Sequence, residues 1–272
     1  MEEKLSQLHK RINELTQEDI CIAFSGGVDS SLLLKIASIE AKKNNTKVYA
    51  VTFNTRLHPK ADANIAAMVA EECGAEHIIL NIDEFDNKEL LNNPINRCYI
   101  CKKALFQTLK TWAAERSIKT VIDGTNADDL LMYRPGLKAL RELKIISPLA
   151  DCGVTKMETR AFSKELNLSV SDRPSAPCMA TRLPYNTPIT FEVIERLEKG
   201  EQYLASMGFE TVRLRLHGDI LRIEVPQNRL VELLKNKNHV IDTLKTFGFI
   251  YITLDLEGFR SGSMDINILN SL

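Results

Sequence analysis

Leu5, Leu8, Ile12 and Leu15 recur at helical spacing among charged residues, which predicts an amphipathic helix over about residues 3–16. An apolar run from Ile20 to Phe24 follows, breaks at Gly26-Gly27, and gives way to Leu32, Leu33, Leu34 and Ile36. That order reads as buried strand, tight turn and helix. Beyond the polar turn at Lys42 to Asn45, residues 47–53 have strand character, residues 59–73 helical character, and residues 77–82 form a third strand. Residues 119–123 and 143–147 are the fourth and fifth strands, and Thr155 to Glu158 has the form of a capping box opening another helix. Strand alternating with helix predicts an α/β fold with a doubly wound parallel sheet, whose ligands sit at the carboxyl ends of the strands.

The pattern changes near residue 187. Phe191, Ile194, Leu197 and Leu204 mark a helix, Thr211 to His217 and Ile220 to Val225 read as two strands joined at a turn, and Phe249 to Leu256 is a last strand. We therefore expect two domains, the parallel-sheet domain over 1–186 and a small α+β domain over 187–272 that binds substrate or packs on a neighbouring subunit in a homo-oligomer.

Composition narrows the class. With 272 residues, 44% hydrophobic and 26% charged, the chain can bury a sizeable core. A net charge of -1 offers no basic surplus for general nucleic-acid binding. Met1 to Lys4 leads into no apolar signal region and no run approaches a membrane span, so a cytoplasmic protein is expected. Six cysteines there are thiols, metal ligands or reactive groups rather than a disulfide framework. Cys21, Cys73 and Cys152 lie in a strand, a helix end and a turn and read as structural.

Chemistry gathers in four stretches. In Ser25-Gly26-Gly27-Val28-Asp29-Ser30-Ser31 the glycines let main-chain N–H groups approach an anion, and the following helix turns its positive end to the same spot. No lysine of the GxxxxGK[ST] type is present, so pyrophosphate rather than the terminal phosphate is the expected focus. Cys98 and Cys101, two residues apart at a helix start beside Arg97, Lys102 and Lys103, suit a metal or redox centre, or else are small buried hydrophobes. Gly124 to Asp129 ends the fourth strand, where Asp128 and Asp129 either hold Mg²⁺ beside a nucleotide or cap the next helix through an Asx turn. Arg213 and Arg215 share one face of a strand and, with Arg260 and Ser261, form a candidate phosphate site or a solvated charged face.

SGGVDSS after an apolar strand resembles the PP-loop signature of the N-type ATP pyrophosphatases, which adenylylate a substrate oxygen and release pyrophosphate. Together with RCYICKK, DGTNADD, ISPLAD, RPSAPCMATRLPY, VRLRLHG and LDLEGFRSGSM, spread from residue 25 to 264, the chain resembles the LarE family of ATP-dependent sulfur transferases. The resemblance implies ATP contacts at Ala23, Ser25, Gly26, Gly27, Asp29, Ser30, Ser31, Phe53, Asn54, Gly124 and Thr125, with adenine beside Phe53 and Asn54. It places Asp29 and Cys178 in catalytic roles and Arg182, Arg213, Arg215, Arg260 and Ser261 around the substrate. That substrate is implied to be a nucleotide carboxylate, pyridinium-3,5-biscarboxylic acid mononucleotide, on the route to the nickel-pincer nucleotide.

In single-cysteine members the cysteine at the position of Cys178 gives up its own sulfur. This chain has Cys98 and Cys101 as well, and so resembles the branch in which three thiolates hold a [4Fe-4S] cluster and the open iron carries a transferable sulfide. Expected cofactors are ATP, Mg²⁺ and that cluster, with sulfide or another sulfur donor as partner; neither a membrane nor a nucleic acid is expected. The alternatives are a cluster-dependent tRNA thiolase and a single-use, cysteine-sacrificing transferase.

Overall fold

The computed structural model describes residues 2–58, 60–174, 177–260 and 262–265. The chain divides into two compact units, residues 1–84 with 96–176, and residues 85–95 with 177–272.

The first unit is a parallel sheet between helices. Its strands are β1 (Ile20–Ala23), β2 (Val48–Asn54), β3 (Glu76–Asn81) and β4 (Thr120–Ile122), in the order β3-β2-β1-β4. Pairing is parallel throughout, with Ile20 opposite both Val48 and Thr120. Its helices are α1 (Glu2–Leu15), α2 (Val28–Asn44), α3 (Lys60–Cys73), then, after α4 (Lys88–Leu91) of the second unit, α5 (Arg97–Ala114), α6 (Gly136–Glu142), α7 (Pro148–Asp151) and α8 (Lys156–Glu165).

The two-residue period of a strand decides which core each side chain enters. Ile20, Ile22 and Phe24 join Leu8, Ile12, Leu33 and Phe162 on one face, whereas Cys21 joins Val51, Val121, Phe106 and Leu109 on the other. Helices thus cover both faces, the doubly wound α/β arrangement expected from the alternation. Because parallel strands all end on one edge, the β1–α2 turn and the segment after β4 meet there.

Residues 143–147 do not make a fifth strand. They are spent on ending α6: Lys144 adopts φ 55°, its N–H reaches the Arg141 carbonyl at 3.1 Å and the Ile145 N–H reaches Leu140 at 2.9 Å. This left-handed helix stop leaves Ile146 alone to bridge Ile122 in parallel.

In the second unit α9 (Phe191–Ser206) packs on a sheet of β5 (Arg213–His217), β6 (Ile220–Glu224) and β7 (Tyr251–Leu254), with α10 (Leu230–Lys235) and α11 (Lys237–Thr246) between β6 and β7. β5 and β6 are antiparallel, β6 and β7 parallel. A Cβ on Gly200 would lie 2.5 Å from Leu214, so glycine lets α9 sit directly on β5. The stretch 85–95 joins this unit through Asn93, fully buried, whose side chain donates to the Pro184 carbonyl at 2.8 Å, and through Ile189 N–H on Leu91 at 2.7 Å. Among the described residues no helix is long and apolar enough to cross a membrane.

Candidate functional site

The turn between β1 and α2 is built by its glycines. Gly26 has φ 66°, and a Cβ there would lie 2.9 Å from the Ala66 backbone of α3. Gly27 is the N-cap of α2 and makes no side-chain cap, so the first N–H groups of the helix are not satisfied by a capping side chain. Gly124, after β4, comes so near that a Cβ would lie 2.9 Å from Ser30 N. Close backbone approach of this kind makes a small concave anion site without side chains.

The loop hydroxyls differ in what they do. Ser25 and Ser30 bond each other at 3.3 Å, Ser30 donates to the Gly27 carbonyl at 3.1 Å, and Gly27 N–H donates to Ser25 at 3.3 Å. They brace the turn. Ser31 is fully buried, its hydroxyl without a hydrogen-bond partner among the described residues. Ala23 ends β1 half-buried, Phe53 meets Phe106 edge-on with centroids 5.8 Å apart, and Asn54, at the exposed end of β2, donates to Asn81 at 2.7 Å.

Asp29, in the first turn of α2, draws partners from far along the chain. Asn126 donates to it at 3.2 Å, and the Lys156 ammonium forms a close ion pair with it. Lys156 is the first residue of α8, which Thr155 and Glu158 open with the capping box read from the sequence. A lysine at a helix N-terminus opposes the helix dipole. That is the local signal by which sequence reasoning, which gave this helix start no function, could have singled out Lys156. Arg173 adds a bond to the Gly26 carbonyl at 3.0 Å.

Beyond β4, Thr125 is buried and donates to Asp123 at 2.6 Å, and Ser147 donates to the same carboxylate at 2.5 Å. Asp128 accepts the Lys156 N–H at 2.8 Å, while Asp129 accepts the Asn126 N–H at 3.2 Å and pairs with Arg134 at 2.8 Å. Both carboxylates therefore serve an Asx turn and a helix start, and among the described residues no group of three or more His, Cys, Asp or Glu is assembled to hold a metal ion.

Cys98 and Cys101 are the second and fifth residues of α5, Cys98 exposed and Cys101 half-buried. Lys102 ties this part of the helix to the end of β4 through Asp123 at 3.8 Å, and Tyr99 and Lys103 tie it to α6 through Glu142 at 2.8 and 2.9 Å. Elsewhere in the first unit burial pushes the Cys21 thiol up to about 12 and the Cys73 thiol up to about 11, and raises that of Cys152.

Cys178 belongs to the second unit. It is half-buried and leads a 3₁₀ turn, Met179–Arg182, whose Met179 and Ala180 are buried. Arg182 is 2% exposed and fork-paired to Glu201, with Nε and an Nη each 2.9 Å from a carboxylate oxygen. Arg215 is also buried, bonded to Glu224 at 3.2 Å and to the Thr181 carbonyl at 2.8 Å. Arg213 is half-buried with its guanidinium 5.4 Å from the Phe259 ring centroid. Burial first, then the repulsion of Arg182, lowers the Arg213 pKa. Arg260 pairs with Asp255 at 3.0 Å and closely with Glu257. Ser261 lies outside the described residues, as do Ser175 and Ala176 of the Cys178 loop. The structure thus gathers Arg182, Arg213 and Arg215 around Glu201 and Glu224, two carboxylates that sequence reasoning missed. Neither carries a local signal, because each pairs across 9 to 19 residues of chain.

The PP-loop domain family matches residues 1–134. An uncharacterized protein of Synechocystis is 37% identical over 97% of this chain and 98% of its own length. The pyridinium-3,5-bisthiocarboxylic acid mononucleotide synthase of Lactiplantibacillus plantarum is 37% identical over 90% of this chain and 88% of its own. An uncharacterized protein of Methanocaldococcus jannaschii is 31% identical over 95% and 98%. With a phosphate-type loop at the head of a parallel sheet and such likeness along nearly its whole length, the chain belongs to the LarE family of PP-loop proteins.

Proposed function

We propose that the protein is an ATP-dependent sulfur transferase that converts a carboxylate of pyridinium-3,5-biscarboxylic acid mononucleotide into a thiocarboxylate. The observation behind this reading is the anion site at the start of α2, where Gly26, Gly27 and Gly124 bring uncapped N–H groups to one point. A carboxylate oxygen attacks the α-phosphorus of ATP, the bond to the β-phosphate oxygen breaks and pyrophosphate leaves. The N–H groups of α2 take up the negative charge of that leaving group. Lys156, held beside the loop by Asp29, supplies the side-chain cation the loop lacks. A carboxylate would otherwise have to expel oxide; in the mixed anhydride its carbon carries AMP, a good leaving group. Sulfide then adds to that carbon, AMP departs with the C–O bonding pair, and one proton is released to solvent.

Mg²⁺ would accompany ATP, with Asp128 and Asp129 the carboxylates that would hold it and the nucleotide's phosphates completing its oxygen shell. Soft thiolates suit iron, so Cys98, Cys101 and Cys178 are the residues that would hold a [4Fe-4S] cluster, which when bound supplies the sulfide. Arg213 and Arg260 of the second unit bind the phosphate of the substrate nucleotide.

The test is anaerobic reconstitution with iron and sulfide, then incubation with ATP, sulfide and the dicarboxylate nucleotide, with mass spectrometry of nucleotide and protein. Thiolated nucleotide with Cys178 intact is the expected result. Product with a protein lighter by one H₂S would replace the cluster with sacrifice of Cys178. Absence of any thiolated nucleotide, with thiolation of added tRNA, would overturn the choice of substrate.

A further inference from the structure

The turn that presents Cys178 has little regular structure of its own, yet a set of buried charges holds its backbone. Arg182 donates through one Nη to the Pro177 carbonyl at 3.0 Å, to the Cys178 carbonyl at 3.4 Å and to the Thr181 hydroxyl at 2.9 Å. Thr181 in turn donates to the Cys178 carbonyl from its hydroxyl at 2.8 Å and from its N–H at 3.0 Å. The remaining edge of the guanidinium is filled by Glu201. Glu201 is itself anchored to the sheet, accepting Leu214 N–H of β5 at 2.9 Å, a reach made possible by Gly200. Arg215 closes the other end by donating to the Thr181 carbonyl.

A guanidinium so enclosed has no N–H edge turned to solvent, and a side chain 2% exposed is poorly placed to meet a substrate phosphate. We propose that Arg182 and Glu201 are positioning residues for Cys178: together they fix the backbone from Pro177 to Thr181 and so set where the thiol stands. Arg182 thereby acts through Cys178 rather than on the nucleotide. The inference rests on the reading of Cys178 as a sulfur-site residue only for its kinetic arm.

Arg182→Lys keeps the charge opposite Glu201 but loses the fork, so it cannot hold the carboxylate and the turn together. In cluster-free protein, iodoacetamide labelling of Cys178, followed by peptide mass spectrometry against Cys98 as internal reference, becomes about tenfold faster as the turn opens. In the reconstituted enzyme kcat for sulfur transfer falls about 100-fold, the scale of an ångström-sized misplacement, while KM for the nucleotide changes less than about twofold. Raised KM with kcat preserved would make Arg182 a substrate contact and overturn the proposal, as would wild-type labelling together with wild-type kcat. If Arg182→Lys does not fold, the double replacement Arg182→Met with Glu201→Met removes both charges at similar volume and is judged by the same readouts. If the wild-type protein thiolates no dicarboxylate nucleotide, the proposed function fails and the labelling arm alone decides this one.

Discussion

The PP loop and the Cys178 turn solve opposite problems. In the first unit the charge to be held is a ligand's, and the protein meets it with backbone: glycines at 26, 27 and 124, a helix end, and two serines that brace the turn. In the second unit the charges are the protein's own: Arg182, Arg215 and Glu224 are buried, Glu201 is half-buried, and all four are already paired beside one short turn. An anion site built from backbone is ready for a visitor. A buried ion network holds something still. On the proposed function, the preformed cradle takes the phosphates of ATP and the braced turn fixes where Cys178 stands.

The largest break in that contrast is Glu224→Gln. Glu224 is fully buried between Arg215 and Arg222, at 3.2 and 2.8 Å, and accepts Ser263 at 2.9 Å. Neutralising it leaves arginine charge without its counter-ion, expected to lower unfolding free energy by about 3–5 kcal/mol in a urea titration. A smaller loss would mean that the network is wetter than its burial implies. Next comes Lys156→Met, which leaves the N–H cradle intact and removes the cation paired with Asp29. AMP formation should slow about 100-fold, the scale for one charge-stabilising donor. An unchanged rate would leave the backbone sufficient by itself. Gly26→Ala then tests the cradle: a side chain at φ 66° against the Ala66 backbone stores about 1–3 kcal/mol, read as weaker ATP binding by calorimetry.

The same contrast governs what could be read from sequence. The apolar run of β1 and the glycine loop from Ser25 to Ser31 were legible, because apolar runs and turn chemistry are local properties. The left-handed stop at Lys144 was not legible: its residue type prefers neither that conformation nor a strand end, and an apolar run beside it mimicked a strand. Glu201, Glu224 and Asn126 escaped for a different reason. A carboxylate or amide in a helix or turn looks like surface until its partner, 19 or 97 residues away, is known. The family motifs named Cys178 and Arg182 as important but not what Arg182 does, since a motif records identity and not the atom contacted.

Glu158 separates the local from the distant contribution in one residue. Its carboxylate closes the capping box by accepting Thr155 N–H at 2.9 Å and also takes Lys4, 154 residues away, at 2.9 Å. The backbone bond from Thr155, followed by the bond from Lys4, lowers its pKa to about 2 from the ordinary carboxylate range. Because the native pKa lies below the unfolded one, the ionised form stabilises the fold: its contribution is complete above about pH 4.5 and is lost as pH falls toward 2. Glu158→Gln keeps an acceptor for Thr155 and loses only the charge. We expect a stability loss of about 0.5 kcal/mol at pH 7, the size of a partly exposed pair, shrinking to nothing near pH 2. Lys4→Met should cost the same at pH 7, and the double variant no more than either alone. If Glu158→Gln instead costs about 1 kcal/mol, the loss belongs to the cap itself and the contact with α1 adds little.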